Sequence, residues 1–206
     1  MSYTNIYSCS ETLRRLIETD LRQDVGPNGL AGLFDGGGFT VELATPHEMG
    51  ADAQGVSLWL YRVLRDDMRL NDPPRLRPRP PGIELLPPPL PLRLHYLATP
   101  LASDAPDTEQ KILGRILQLF HSRPILSGAA LQGDLAGTDA EIGVRLESLA
   151  LEELTRIWDA LEGSYQLSIS YEVSLVNIDS AVLPTIATPV ETIIPGHAII
   201  VERARP

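Results

Sequence analysis

Leu167-Ser168-Ile169-Ser170-Tyr171-Glu172-Val173-Ser174-Leu175 alternates apolar and polar residues without a break. Side chains on a strand point to opposite faces in turn, so this run predicts a strand with one face in a core and a small, serine-rich polar face opposite. Such a face suits a strand lying under a second layer or at an interface. A strand of this length needs paired neighbours, and the rest of the chain is read for them.

Upstream, Leu154, Ile157, Trp158 and Leu161 share one face of a helix running from about Leu151 to Leu161. Glu152 and Glu153 favour its positive N-terminal end, and Gly163 is placed to stop it. Val144 and Leu146 mark a short strand, and a short apolar piece runs from Ile125 to Leu131. Before it, Ile112, Leu113, Ile116, Leu117 and Phe120 form a second helical stripe. Asp107 and Gln110 stand at capping distance, and Pro124 ends the element. Leu92, Leu94 and Tyr96 alternate with Arg93 and His95, a strand reaching about Thr99. Gly55 to Arg65 is apolar on both faces from Val56 to Val63, which predicts a central strand covered on both sides. Phe39, Val41 and Leu43 alternate in another strand. Ile6, Cys9, Leu13, Leu16, Ile17 and Leu21 recur at helical spacing, with Ser8 and Glu11 at capping-box spacing unless the helix begins nearer Thr4 or Asn5. Cys9 on that stripe reads as a small buried hydrophobe. The elements together predict an α/β (α+β) fold: a single domain with a mixed central β-sheet flanked by about three helices.

Two segments stand apart. Prolines crowd the stretch from Pro73 to Pro91, which predicts polyproline II or an extended loop rather than a helix or a central strand. Arg75, Arg77 and Arg79 alternate within it. This basic arm reads as a ligand for an aromatic groove, as a reach toward an acidic patch on a neighbouring subunit, or as a solvated linker. The second segment is the tail, residues 181–206, with Ile193, Ile194, Ile199, Ile200 and Val201, which lacks an evident turn back into a domain 1–180 and reads as an interface strand.

The chain has 206 residues, 43% hydrophobic and 21% charged, an ordinary globular composition. No apolar run is long enough to span a bilayer, and the N-terminus lacks the pattern of a secretory signal, so membrane insertion is not expected. Seventeen Lys and Arg against 27 Asp and Glu give a net charge of −10, which disfavours binding to nucleic acid. A single cysteine excludes an internal disulfide framework and a cysteine-based zinc cluster. His47, His95, His121 and His197 are scattered without metal-ligand spacing, and no metal or cofactor is expected. Gly36-Gly37-Gly38-Phe39 lacks the Lys and Ser/Thr of a phosphate loop and reads as a turn into a strand. Asp66-Asp67 beside Arg65 and Arg69 reads as a solvated charge cluster. Neither a nucleophile elbow nor a Walker pattern occurs. These readings point away from an enzyme.

Seven segments, in order and spacing, resemble one family. They are Ile6-Tyr7 with Glu11-Thr12-Leu13-Arg14; Leu58-Trp59-Leu60-Tyr61-Arg62-Val63 with Asn71; Leu94-His95-Tyr96-Leu97-Ala98-Thr99; Glu109 with Leu113-Gly114-Arg115; Phe120-His121-Ser122-Arg123-Pro124-Ile125-Leu126; Leu149-Ala150-Leu151-Glu152-Glu153-Leu154 with Trp158; and Ser170-Tyr171-Glu172-Val173 with Ile178-Asp179. The chain resembles, over about residues 4–180, the N-terminal domain of the cap, or tail-terminator, proteins of extracellular contractile injection systems. These are phage-tail-like particles of the antifeeding-prophage and virulence-cassette type. The resemblance implies a non-catalytic structural protein with a tail-terminator-like fold. It implies a homo-oligomer, expected as a hexameric ring, on the distal end of the inner tube and sheath. That ring ends tube polymerisation and anchors the last sheath layer. The protein is then expected in the cytoplasm during assembly and afterwards in the particle. Ala150 departs from the better capping residue, Ser. The other reading open at this level is a peptide-binding chaperone or adaptor for tube or sheath proteins.

Overall fold

The alternating run forms the middle of a sheet. In the computed structural model, which describes residues 3–50, 52–80, 82–102 and 105–187, β8 (Ile169–Ile178) lies between β5 (Leu90–Leu101) and β7 (Glu141–Glu147). The full order is β1-β2-β5-β8-β7-β6, with β1 at Phe39–Glu42, β2 at Gln54–Arg65 and β6 at Ile125–Ser127. All neighbours are antiparallel except β1 and β2, so the sheet is mixed, as expected. The register puts Leu94 opposite Val173 and Tyr96 opposite Tyr171, which aligns the apolar residues of both strands on one face.

The alternation does not hold to its end. The register between β5 and β8 shifts between Leu92 and Leu94, and Leu175 takes φ 67°, a left-handed conformation unusual for a bulky side chain. Tyr171 and Val173 are therefore in the core, the bulge hands the next core position to Val176, and Leu167 and Leu175 are exposed.

Three long helices match the three expected: α1 (Asn5–Gln23), α3 (Pro106–Ser122) and α4 (Leu151–Ala160). A short α2 (Pro46–Met49) joins β1 to β2. Cys9, Leu13, Ile17 and Leu21, at every fourth position of α1, are buried with Ile112, Ile116, Leu119 and Phe120 of α3. Arg115 bridges the two helices with bonds of 2.6 and 3.2 Å to Asp20. Phe120 and Trp158, each on the apolar stripe of its helix, are buried, at 4% and 3% exposed.

Of the two starts left open for α1, the structure takes the earlier, at Asn5, so Ser8 lies inside the helix, where its hydroxyl accepts the Asp134 N–H at 3.1 Å. Thr12 accepts the Gln132 N–H at 3.0 Å. These two hydroxyls, one turn apart, tie a loop to the helix. That loop needs Gly133, which has φ +59° and whose missing Cβ would stand 2.5 Å from Ser8 Oγ. Helix α3 begins with Pro106 rather than with a cap at Asp107, because proline's missing N–H costs nothing in the first turn.

The covering predicted for β2 applies only to its first half. Val56 and Leu58 are buried, but β1 pairs with β2 only as far as Ser57, and from Trp59 onward the strand is half-buried or exposed, with Val63 46% exposed.

The proline-rich segment is corrected more fully. Residues 73–91 are not a polyproline arm. Arg75–Arg79 (β3) and Gly82–Leu86 (β4) form an antiparallel hairpin, β4 pairs on its other side with Thr185–Ala187 (β9), and Pro91 already belongs to β5. Proline enters this small sheet only in the edge strand, as Pro78, while the central strand Gly82–Leu86 contains none. The chain thus forms two compact units. One holds residues 1–72 and 89–179; the other is built on 73–88 and the described residues from Ser180.

Candidate interface surfaces

Alternation on β3 puts Arg75, Arg77 and Arg79 on one face of the hairpin, and every residue of the strand is exposed. Glu84, opposite Arg77 in the register, is 7% exposed. It accepts a bond from Arg79 at 3.0 Å and lies 3.9 Å from Arg77. Arg75 faces Leu86, with no ion pair among the described residues. The three predicted arginines are therefore held in fixed order by a ladder, with one internal counter-charge. Ile193, Ile194, Ile199, Ile200 and Val201 lie outside the described residues, as does His197.

A second polar constellation was not read from the sequence. Register brings Tyr61 of β2, His95 of β5, Ser170 of β8 and Glu147 of β7 together on the sheet face opposite the main core. One oxygen, Glu147 Oε2, accepts a bond from Ser170 at 2.8 Å and one from the Tyr61 hydroxyl at 3.1 Å, and lies 3.0 Å from His95 Nδ1. Burial pushes the Glu147 carboxyl pKa up, but the bonds from His95, Ser170 and Tyr61 outweigh it and hold the group below the ordinary carboxylate value. Burial pushes the Tyr61 phenol up to about 12.

Glu172 adds to this cluster: ligand atoms of His95, Glu147 and Glu172 lie within 4.8 Å of one another. Glu172 is already matched by Arg145 at 2.9 Å and Arg93 at 3.7 Å. The group is a charge-balanced network joining four neighbouring strands. Its only trace in the sequence is a histidine within a strand pattern, because its members come from positions 61, 95, 147, 170 and 172. His47 and His121 lie elsewhere, on α2 and α3. Cys9 is fully buried and its thiol is raised by burial to about 12, which suits a packing residue rather than a nucleophile.

Among the described residues no helix is long and apolar enough to cross a membrane. No curated protein matches the chain significantly. Two solved structures share its fold. One is described as the sheath/tube terminator, in the extended state, of the extracellular contractile injection system PVC. Its TM-score is 0.61 at 18% identity, over 99% of this chain and 66% of that one. The other is the tube-terminating cap of the anti-feeding prophage, with a TM-score of 0.58 at 17% identity, over 88% of this chain and 59% of that one. The chain therefore spans about two thirds or less of the length of these relatives. The architecture of this chain is the fold of these two structures. The chain belongs to the Pvc16 N-terminal domain family, whose model matches residues 8–192.

Proposed function

We propose that the protein is a structural cap, or tail terminator, of a contractile injection system. It forms a homo-oligomeric ring of six on the distal end of the inner tube and sheath, ends tube polymerisation and anchors the last sheath layer. The observation that carries this is the family match over residues 8–192, supported by the fold shared with two terminators. The role requires neither catalysis nor a cofactor. The protein assembles in the cytoplasm and remains in the phage-tail-like particle.

Its contacts with neighbours are assigned to the Arg75, Arg77 and Arg79 face and to the apolar tail with Ile193, Ile194, Ile199, Ile200 and Val201. Exposed arginines contribute little to folding, so a row of three held on a ladder is better explained by a partner surface. Charge attraction steers and registers such a contact.

The experiment is assembly onto purified tubes, followed by negative-stain microscopy and mass photometry. Closed rings at tube ends and tubes of uniform length are expected. Replacing the three arginines by serine is expected to preserve the fold, weaken attachment and flatten its salt dependence. A monomer that leaves tube growth unchanged overturns the cap. Normal assembly of both the arginine variant and a chain lacking residues 188–206 overturns the interface assignment alone.

A further inference from the structure

Helix α4 differs from the other long helices in how little of it is covered. Eight residues of α1 and five of α3 are buried, but of the ten in α4 only Trp158 is. Leu151, at its start, is 66% exposed. Its outward residues are mostly acidic: Glu152, Glu153 and Asp159, with Glu162 just past its end, are exposed beside one exposed cation, Arg156. None of these has an ion pair among the described residues. Glu152 and Asp159 stand two turns apart, so they share one face over about 10 Å of helix. The small sheet carries the complement. Arg77 lies opposite Glu84 and Glu84 opposite Ile186, so the arginine row and Ile186 share a face. Three arginines over about 13 Å of strand have one carboxylate between them, and Ile186 is 64% exposed.

We infer that α4 receives the arginine face of a second copy of this chain. Glu152 and Asp159 lie along the arginine row, and Leu151 meets Ile186 beside it. The inference rests on the ring of the proposed function and names the surface that the arginine face binds there. The occupant is a second copy because the chain itself carries both halves of the complement. Complementary charge steers the two patches together and fixes their register, while the apolar pair is desolvated between them. Two arginine faces, or two α4 faces, would set like charges against each other, which excludes a two-fold contact through either patch. A contact between unlike patches is head-to-tail. Each copy gives its arginine face to one neighbour and its α4 to the other, and the chain of copies closes into a ring where the rotation allows.

The test reverses charge on each side and then mixes the two. One full-length variant carries Arg75→Glu and Arg77→Glu, leaving Arg79 to hold Glu84. The other carries Glu152→Lys and Asp159→Lys. Assembly, free and at tube ends, is read by mass photometry and microscopy, and folding by thermal melting. Each variant alone is expected to need about tenfold more protein to assemble, since like charges then face each other. An equal mixture is expected to assemble as the parent does, because each altered patch meets its altered complement in alternate copies. Milder changes, Arg75→Gln and Asp159→Asn, are expected to weaken assembly in the same direction without reversal, and they replace the reversed pair if either of those fails to fold. Assembly of the parent with no response to any of these variants overturns the interface and leaves the ring. Rescue in one chain carrying all four reversals but not in the mixture overturns it in favour of a contact within a copy. A parent that stays monomeric, free and on tubes, overturns the ring and this contact together.

Discussion

The two units of this chain are held by different physics. In the larger, β5 is buried almost end to end, from Pro91 to Leu101. In the smaller, every residue of β3 is exposed, Ile186 of β9 is 64% exposed, and what fixes the hairpin is its ladder and the Glu84 ion pairs. Burial of apolar surface is the dominant favourable term in folding, while exposed ion pairs contribute little. Global stability should therefore respond to the larger unit alone. The sharpest check pairs Phe120→Ala with Ile186→Ala. Phe120 is 4% exposed and packs edge-to-face on Tyr171 with ring centres 4.9 Å apart. Its truncation is expected to cost about 3–5 kcal/mol in urea denaturation, whereas Ile186→Ala should stay within about 0.5 kcal/mol. A comparable loss from both would mean that the small sheet shares the core's cooperativity.

Acid should separate the units next. Glu11 on α1 accepts bonds from Arg14 at 2.7 and 2.8 Å and from Arg15 at 2.9 Å. The Arg14 bonds, opposed by burial and aided by Arg15, lower its carboxyl from 4.5 to about 2. A carboxyl whose folded pKa is depressed stabilises the fold fully above its unfolded value and loses that contribution as pH falls through the folded one. The larger unit should thus lose stability between about pH 4.5 and 2. Glu11→Gln should flatten that slope and cost about 0.4–1 kcal/mol at neutral pH, the worth of two helical ion pairs. A slope unchanged by the substitution would remove Glu11 from the account.

How far these features can be read from sequence depends on how local they are. The helical stripes and the alternation around Tyr171 are short-range patterns, and both appear where expected. The open edge of β2 was missed because an apolar strand shows that it wants covering, not that its neighbour β1 ends at Glu42. The hairpin was missed because prolines on either side conceal proline-free Gly82–Leu86. Its third strand also comes from position 185, some hundred residues along the chain. The network on Glu147 depends on three registers at once. The bulge that moves the core from Leu175 to Val176 leaves no mark on the alternation at all.

Within the hairpin the largest single lever is Glu84. Glu84→Gln removes the counter-charge to Arg77 and Arg79 while keeping the shape. Because both arginines are about two thirds exposed, the global cost should be under about 1 kcal/mol. Hydrogen exchange should quicken locally, over residues 75–86, with no change over β5. Faster exchange throughout would contradict the division into two units.

One further effect runs the other way, toward added stability. Two helix starts in the larger unit have the same backbone form and differ in one side chain. At α2, Thr45 accepts the Glu48 N–H at 3.2 Å while Glu48 accepts the Thr45 N–H at 2.8 Å, a complete reciprocal cap. At α4, Glu153 accepts the Ala150 N–H at 3.1 Å, but alanine has nothing to return. Ala150 already holds φ −67° and ψ 154°, close to the −69° and 155° of Thr45, so no backbone rearrangement is needed. Ala150→Ser should add a side-chain acceptor for the Glu153 N–H, which otherwise bonds the Ala150 carbonyl at 3.0 Å, and raise stability by about 0.5–1 kcal/mol. Thr45→Ala should lose a similar amount at α2. Both changes belong to the larger unit, so thermal denaturation should register them while exchange in the hairpin stays as it was. If Ala150→Ser gives no gain although Thr45→Ala gives the loss, the bond from the Glu153 N–H to the Ala150 carbonyl already suffices, and the cap at Ala150 is not a deficit.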